Sequence, residues 1–118
     1  MNIEEARDYC LAQKRAEECM PFDENTIVVK VMGRMFMLMS LERGSCITLK
    51  CEPSRAVELR ERYKGIEPAW HFNKKYWNQI WLDRDVSDDL VKELIDHSLC
   101  EVLKRFSKKK QQEYADSI

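Results

Sequence analysis

Two short clusters hold the residues best suited to meet an anion. The first is Lys30, Gly33 and Arg34; the second is His71, Asn73, Lys74 and Lys75. Each falls where the chain reads as reversing between two strands. Lys and Arg on an exposed turn reach phosphate oxygens, and an Asn amide can hydrogen-bond a phosphate or a base edge. Glycine lets such a turn approach another backbone closely. The same residues have a plainer use, since charged turns keep hairpins soluble and their edges unpaired. His71, Asn73 and Trp77 also offer a structural alternative, an imidazole stacked on an indole across a three-residue turn that Asn73 ties to itself. Trp70 and Trp81 read as core first and as exposed stacking platforms second. Five bases, Lys104, Arg105 and Lys108 to Lys110, could add a second electrostatic contact, although Glu113 and Asp116 follow as on a solvated terminal helix.

Other chemistries find little support. No P-loop, nucleophile elbow, dinucleotide-binding glycine pattern or zinc signature occurs. Asp88 and Asp89 suit a helix start better than a catalytic dyad. The five cysteines are Cys10, Cys19, Cys46, Cys51 and Cys100, an odd count without a CxxC. Cys10 and Cys19 fall on opposite sides of an expected first helix, and Cys46 and Cys51 on opposite faces of an expected strand. They read as inert thiols of a reducing compartment. The expectation is a cytoplasmic protein that is not an enzyme and holds no cofactor and no metal.

The 118 residues suit a single domain, 1–118, and with 44% hydrophobic and 35% charged residues the chain is globular rather than disordered. No apolar run reaches the roughly 18–20 residues of a membrane span, and the charged N-terminus lacks the apolar core of a signal peptide. The net charge of −1 gives no general attraction to nucleic acid. Its distribution does. Residues 1–25 carry seven acids and three bases, residues 26–82 five acids and ten bases, and residues 83–118 nine acids and seven bases. Positive charge therefore gathers in the stretch that reads as sheet.

The elements that must position these residues are legible in part. A helix is expected from Ile3 to about Glu18, capped by Asn2 and stopped by Pro21. Thr26–Met32 reads as a strand that turns at Gly33-Arg34 and returns over Met35–Leu41. That register puts Met32 beside Met35, Val31 beside Phe36 and Val29 beside Leu38. It makes Ile27, Val29, Val31, Phe36 and Leu38 core, and leaves Met35, Met37 and Met39 on a methionine-rich second face that packs under a helix or binds a partner. Cys46–Cys51 is a third strand. Pro53 opens a helix to about Lys64 with Gly65 beyond its end. Ile66–Pro68 reads as loop. Trp70–Phe72 and Tyr76–Leu82 read as a second hairpin, and Ser87 caps a helix that breaks near His97-Ser98. Ser107 caps a last helix. The order α-β-β-β-α-β-β-α(-α) is an α+β fold, an antiparallel sheet with packed helices.

Two segments resemble the YjbR/MmcQ family of small bacterial proteins. One is Lys30-Val31-Met32-Gly33-Arg34-Met35-Phe36. The other runs from Glu67 to Asn78 and is similar to the family pattern Pro-x-x-His-x-Asn-Lys-x-x-Trp, met here by Pro68, His71, Asn73, Lys74 and Trp77. Leu103 to Lys109 is a shorter match, with Ser107 where the family commonly has Pro. The resemblance implies an α-β3-α-β2-α fold and a DNA-binding role in which two hairpins act as wings. The few bases at the two tips, Arg34, Lys74 and Lys75 with Lys30 behind them, allow only weak, salt-dependent contact with the DNA backbone. The implied fold is also similar to that of secretion chaperones, which bind proteins. A protein-interaction module using the methionine-rich face or the aromatic hairpin is therefore the alternative.

Overall fold

The computed structural model describes residues 1–70 and 72–117. The elements are α1 (Ile3–Leu11), β1 (Ala16–Cys19), β2 (Thr26–Val31), β3 (Arg34–Ser40), β4 (Cys46–Lys50), α2 (Pro53–Arg62), β5 (Ile66–Pro68), β6 (Trp77–Trp81), α3 (Asp88–Leu103) and α4 (Lys108–Asp116). The strands make one antiparallel sheet in the order β1-β2-β3-β4-β6-β5. This is the expected α+β architecture with one strand more at the front.

The extra strand corrects the expected first helix. Asn2 does cap α1, in a reciprocal box with Glu5, but the helix ends at Leu11. Arg15 takes a left-handed φ of 59° and turns the chain back, so that Ala16 to Cys19 pairs with Val31 to Val28. An Arg7–Glu18 ion pair ties the new strand to the helix it follows. Cys10 and Cys19 therefore do not share a helix.

The first hairpin is also re-registered. Val31 pairs with Arg34, so the two turn residues are Met32 and Gly33, both at positive φ (46° and 86°). Such a turn matches the twist of its strands, and glycine takes the second position without strain. A bulge between Val29 and Lys30 then leaves Phe36 as the extra residue, and Val29 faces Met37 rather than Leu38. One step of register exchanges the faces of β3. Met37 and Met39 are fully buried in the core with Val29, Val31, Phe36, Ile47 and Leu49, while Leu38 faces the other way. Met37 and Met39 thus pack under the helices, as one of the two expected uses of the methionine row has it, but on the core face rather than on a second one.

All helices that contribute to the core lie on this face of the sheet. Ala6 and Cys10 of α1, Ala56 and Leu59 of α2, and Val91, Leu94, Ile95, Leu99 and Val102 of α3 fill it. The expected break near His97 is absent. Instead α3 is continuous, and Ser98, fully buried, donates to the Phe36 carbonyl (2.6 Å) and accepts from the Lys50 amide (2.9 Å). It bridges β3 and β4 one step beyond the last pair of their ladder, Met37 with Leu49. His97 accepts from the Glu52 amide through Nε2 (3.1 Å) at the start of α2.

Two further expectations are corrected around β5. Ile66–Pro68 is a strand paired with β6 from Ile80 to Asn78, not a loop. Trp70 and Phe72, expected in a strand, correspondingly lie outside any strand. Gly65 is not a left-handed helix cap, since α2 ends at Tyr63 in extended conformation. Its bareness matters for space: a Cβ there would lie 3.0 Å from the Arg84 Cβ and 3.1 Å from the Trp81 carbonyl.

Candidate nucleic-acid interface

Strand directions bring the two turns together. β2 runs toward Met32-Gly33 and β3 away from it; β4 runs back to Lys50, opposite Trp77, where β6 begins. β5 ends at Pro68 opposite Asn78. Both hairpin connections thus leave the same end of the sheet, with Lys50 between them. The C-terminus of α3 arrives there too, bringing Arg105 and Phe106.

Aromatic rings and cations interleave at this end. The Arg34 guanidinium stands over the Phe106 ring at 5.1 Å. Lys50 Nζ lies 5.6 Å from the Tyr76 ring centroid and 5.5 Å from that of Trp77. Arg105 and Lys75 approach the same Tyr76 ring at 5.3 and 5.6 Å. Lys74 Nζ is 4.3 Å over Trp70. Such contacts hold a cation near a surface without neutralising it. Among the described residues, Arg34, Lys50, Lys74, Lys75 and Arg105 have no carboxylate within salt-bridge distance; Glu101 nearby is engaged by Lys104 at 2.7 Å. The Lys50 ammonium is held below its ordinary pKa by burial first and by Arg105 and Arg34, against the opposing pull of Glu101. The cluster is short of negative charge.

The other end of the sheet has the opposite sign. Its connections carry Asp23, Glu24, Glu42, Asp83 and Asp85 against Arg43, Lys64 and Arg84. An anion is therefore drawn to one end, even though the net charge is near zero.

The expected site residues are distributed as follows. Gly33 and Arg34 are exposed on the first turn. Lys30 is half-buried and sits opposite Glu17 across the β1–β2 ladder, which weakens it as an anion contact. Asn73, Lys74 and Lys75 are exposed in the β5–β6 connection, where the Asn73 side chain accepts from the Lys75 amide at 3.0 Å, so it does tie its own turn. His71 lies outside the described residues; the backbone group opposite Trp77 is Ala69, whose amide donates to the Trp77 carbonyl. Lys50 and Tyr76 join the cluster without having been singled out, and Arg105 joins it from the basic run expected to add a second contact. Arg60 of α2 anchors the connection, donating to the Asn78 side chain at 2.6 Å and to the Lys74 carbonyl.

Across the face away from the helices, from the acidic end of the sheet toward the basic one, runs an open groove of about 470 Å3. Ala69, Trp70 and Phe72 line it, and Trp70, 56% exposed, stands at the groove's lip rather than in the core. Phe22, 66% exposed, stands in the other wall. Trp77 is half-buried on the same face under Phe72, with ring centroids 5.7 Å apart. In the floor, Arg43 donates to Gln79 (2.9 Å), and Gln79 and the Trp81 indole both donate to Glu67 (2.7 and 2.6 Å). Those two bonds hold the Glu67 carboxyl below the usual range.

The three buried thiols are not poised for chemistry. Burial pushes Cys10 up to about 12 and Cys46 and Cys51 up to about 11. All five cysteines are free. Among the described residues no group of three or more His, Cys, Asp or Glu side chains could hold a metal ion, and no helix is long and apolar enough to cross a membrane.

With this geometry in view, the comparisons with known proteins are decisive for family. The YjbR family model matches residues 11–99. The chain belongs to the YjbR family. It is 33% identical over 109 residues to the uncharacterized protein YbdF of Escherichia coli O157:H7, covering 92% of this chain and 89% of that one. It is 31% identical over 99 residues to the uncharacterized protein YjbR of Escherichia coli K12, covering 83% and 84%. The crystal structure of Deinococcus radiodurans protein DR2400 superposes with a TM-score of 0.89 at 32% identity, covering 99% of this chain and 91% of that one. A Pseudomonas syringae protein at 23% identity shares the fold with a TM-score of 0.72, covering 83% and 96%.

Proposed function

We propose that this YjbR-family protein binds DNA by its phosphate backbone, using the end of the sheet where both hairpin connections emerge. The observation that carries the reading is the gathering there of Arg34, Lys50, Lys74, Lys75 and Arg105, none with a carboxylate partner among the described residues. Cations brought this close repel one another, and phosphate oxygens relieve that repulsion while releasing counterions. The reading is of a binding module rather than an enzyme. The buried thiols are poor nucleophiles, and His97 Nε2 is engaged by a backbone amide.

Few contacts of this kind give weak, largely sequence-independent binding, micromolar at best. The test is a fluorescence-anisotropy titration of a generic duplex at low salt, comparing the wild type with a variant carrying Arg34→Glu, Lys74→Glu and Lys75→Glu. All three side chains are exposed, so the variant keeps its fold and loses binding. Equal binding by both proteins rules the site out. Failure of the wild type itself to bind would favour the protein-interaction alternative through the exposed Trp70 and Phe22.

A further inference from the structure

The groove on the open face and the basic end of the sheet share one residue. Trp70 borders the groove and also lies under the ammonium of Lys74, one of the unpaired cations. The segment from Trp70 to Trp77 alternates rings and bases, with Trp70, Phe72, Tyr76 and Trp77 around Lys74 and Lys75. Rings that stack on bases, interleaved with cations that track phosphates, are the recurring means of holding single-stranded nucleic acid. Resting on the nucleic-acid reading above, we infer that the strand bound here is unpaired, and that one of its bases enters the groove between Trp70 and Phe22 while its phosphates stay at Lys74, Lys75 and the Tyr76 cluster.

Three observations favour a base as the occupant. The groove, at about 470 Å3, is in the range that holds small organic ligands. Its walls carry two exposed rings, and its lining includes the half-buried hydroxyls of Thr26 and Ser40, hydrogen-bonding groups suited to the polar edge of a heterocycle. Its far end carries Asp23 and Glu42 against Arg43, whose guanidinium is turned to Gln79, and this net negative charge disfavours a phosphate and admits a neutral ring. In a duplex the bases are stacked inside and cannot reach such a groove. Duplex DNA would therefore use only the cations, whereas a single strand would use the cations and the groove together.

The test compares three probes of equal length at low salt: a thymidine oligonucleotide, a duplex, and an abasic strand with the same phosphates. The thymidine strand should bind roughly fivefold or more tighter than either of the others, as one stacked base provides. It should also quench tryptophan fluorescence. Trp70→Ala, at a site 56% exposed, should fold normally by circular dichroism and remove that preference, its loss of affinity for the thymidine strand exceeding by roughly fivefold or more whatever duplex affinity is lost by freeing Lys74. Trp70→Phe should restore part of it. A duplex or abasic strand that binds as tightly as thymidine, or a Trp70→Ala variant that keeps the preference, overturns the inference and leaves the backbone reading standing. Binding of none of the three probes overturns both.

Discussion

Lys50 and Arg105 flank one ring, that of Tyr76, at 5.6 and 5.3 Å, although 55 positions separate them in the chain. Lys50 comes from the last position of β4 and Arg105 from just past the end of α3, so the pair exists only because the helix packs against β3 and β4 and ends at the same edge. Replacing both by Glu would invert the charge at the centre of the cluster. We expect Lys50→Glu with Arg105→Glu to lower duplex affinity at least tenfold at low salt, measured by anisotropy. An unchanged affinity would confine the interface to the two turns.

Ser98 holds Lys50 in place from beneath. Its hydroxyl satisfies a carbonyl of β3 and an amide of β4 at once. Ser98→Ala leaves both backbone groups buried without partners and should cost about 2–4 kcal/mol in denaturant unfolding. A loss well under 1 kcal/mol would mean that water or a local shift replaces the hydroxyl.

His97 links stability to pH. Burial first, then the positive charge of Arg55, holds it below its ordinary value of 6.5, with Lys104 acting in the same direction and Glu101 and Glu52 opposing. A folded state that resists protonation binds fewer protons than the unfolded chain. The contribution of neutral His97 is thus full above 6.5 and lost as the pH falls through that value toward the folded pKa. Melting temperatures measured between about pH 7 and pH 5 should fall, and His97→Gln, which keeps an acceptor for the Glu52 amide without titrating, should flatten that fall. Identical pH profiles would assign the acid sensitivity to other groups.

Trp77 occupies the open face of β6, half-buried beneath Phe72, rather than the helix-covered core. Trp77→Ala should therefore cost about 2 kcal/mol, less than the 3–5 kcal/mol roughly expected of a fully buried tryptophan. A loss above 4 kcal/mol in equilibrium unfolding would show that the ring supports the sheet more than its exposure indicates.

Local chemistry made several of these features legible in the sequence. Asn2, Ser87 and Ser107 cap the helices expected of them, and Asn73 ties its own turn. The strands β2, β3 and β4 follow from their apolar and β-branched runs. The stretch Ala16 to Cys19 did not declare itself, because Ala and Glu favour helix and only pairing with β2 makes it a strand. The β2–β3 register was hidden for a different reason. Met35 to Met39 is apolar at every position, so a bulge exchanges its faces without leaving a polar residue in the wrong place. The site was legible as two basic turns. Their meeting with Lys50, Tyr76 and Arg105 depends on strand order and on where α3 ends, and neither is encoded in local spacing.

The salt dependence of duplex binding tests the central claim most directly. Arg34, Lys50, Lys74, Lys75 and Arg105 offer at most about five phosphate contacts, so log affinity against log salt should be linear with a slope near −4. The Arg34→Glu, Lys74→Glu, Lys75→Glu variant should show no measurable binding across the same range. A wild-type affinity that hardly changes with salt, or a triple variant with the wild-type slope, would contradict the assignment of this end of the sheet as a phosphate-binding surface.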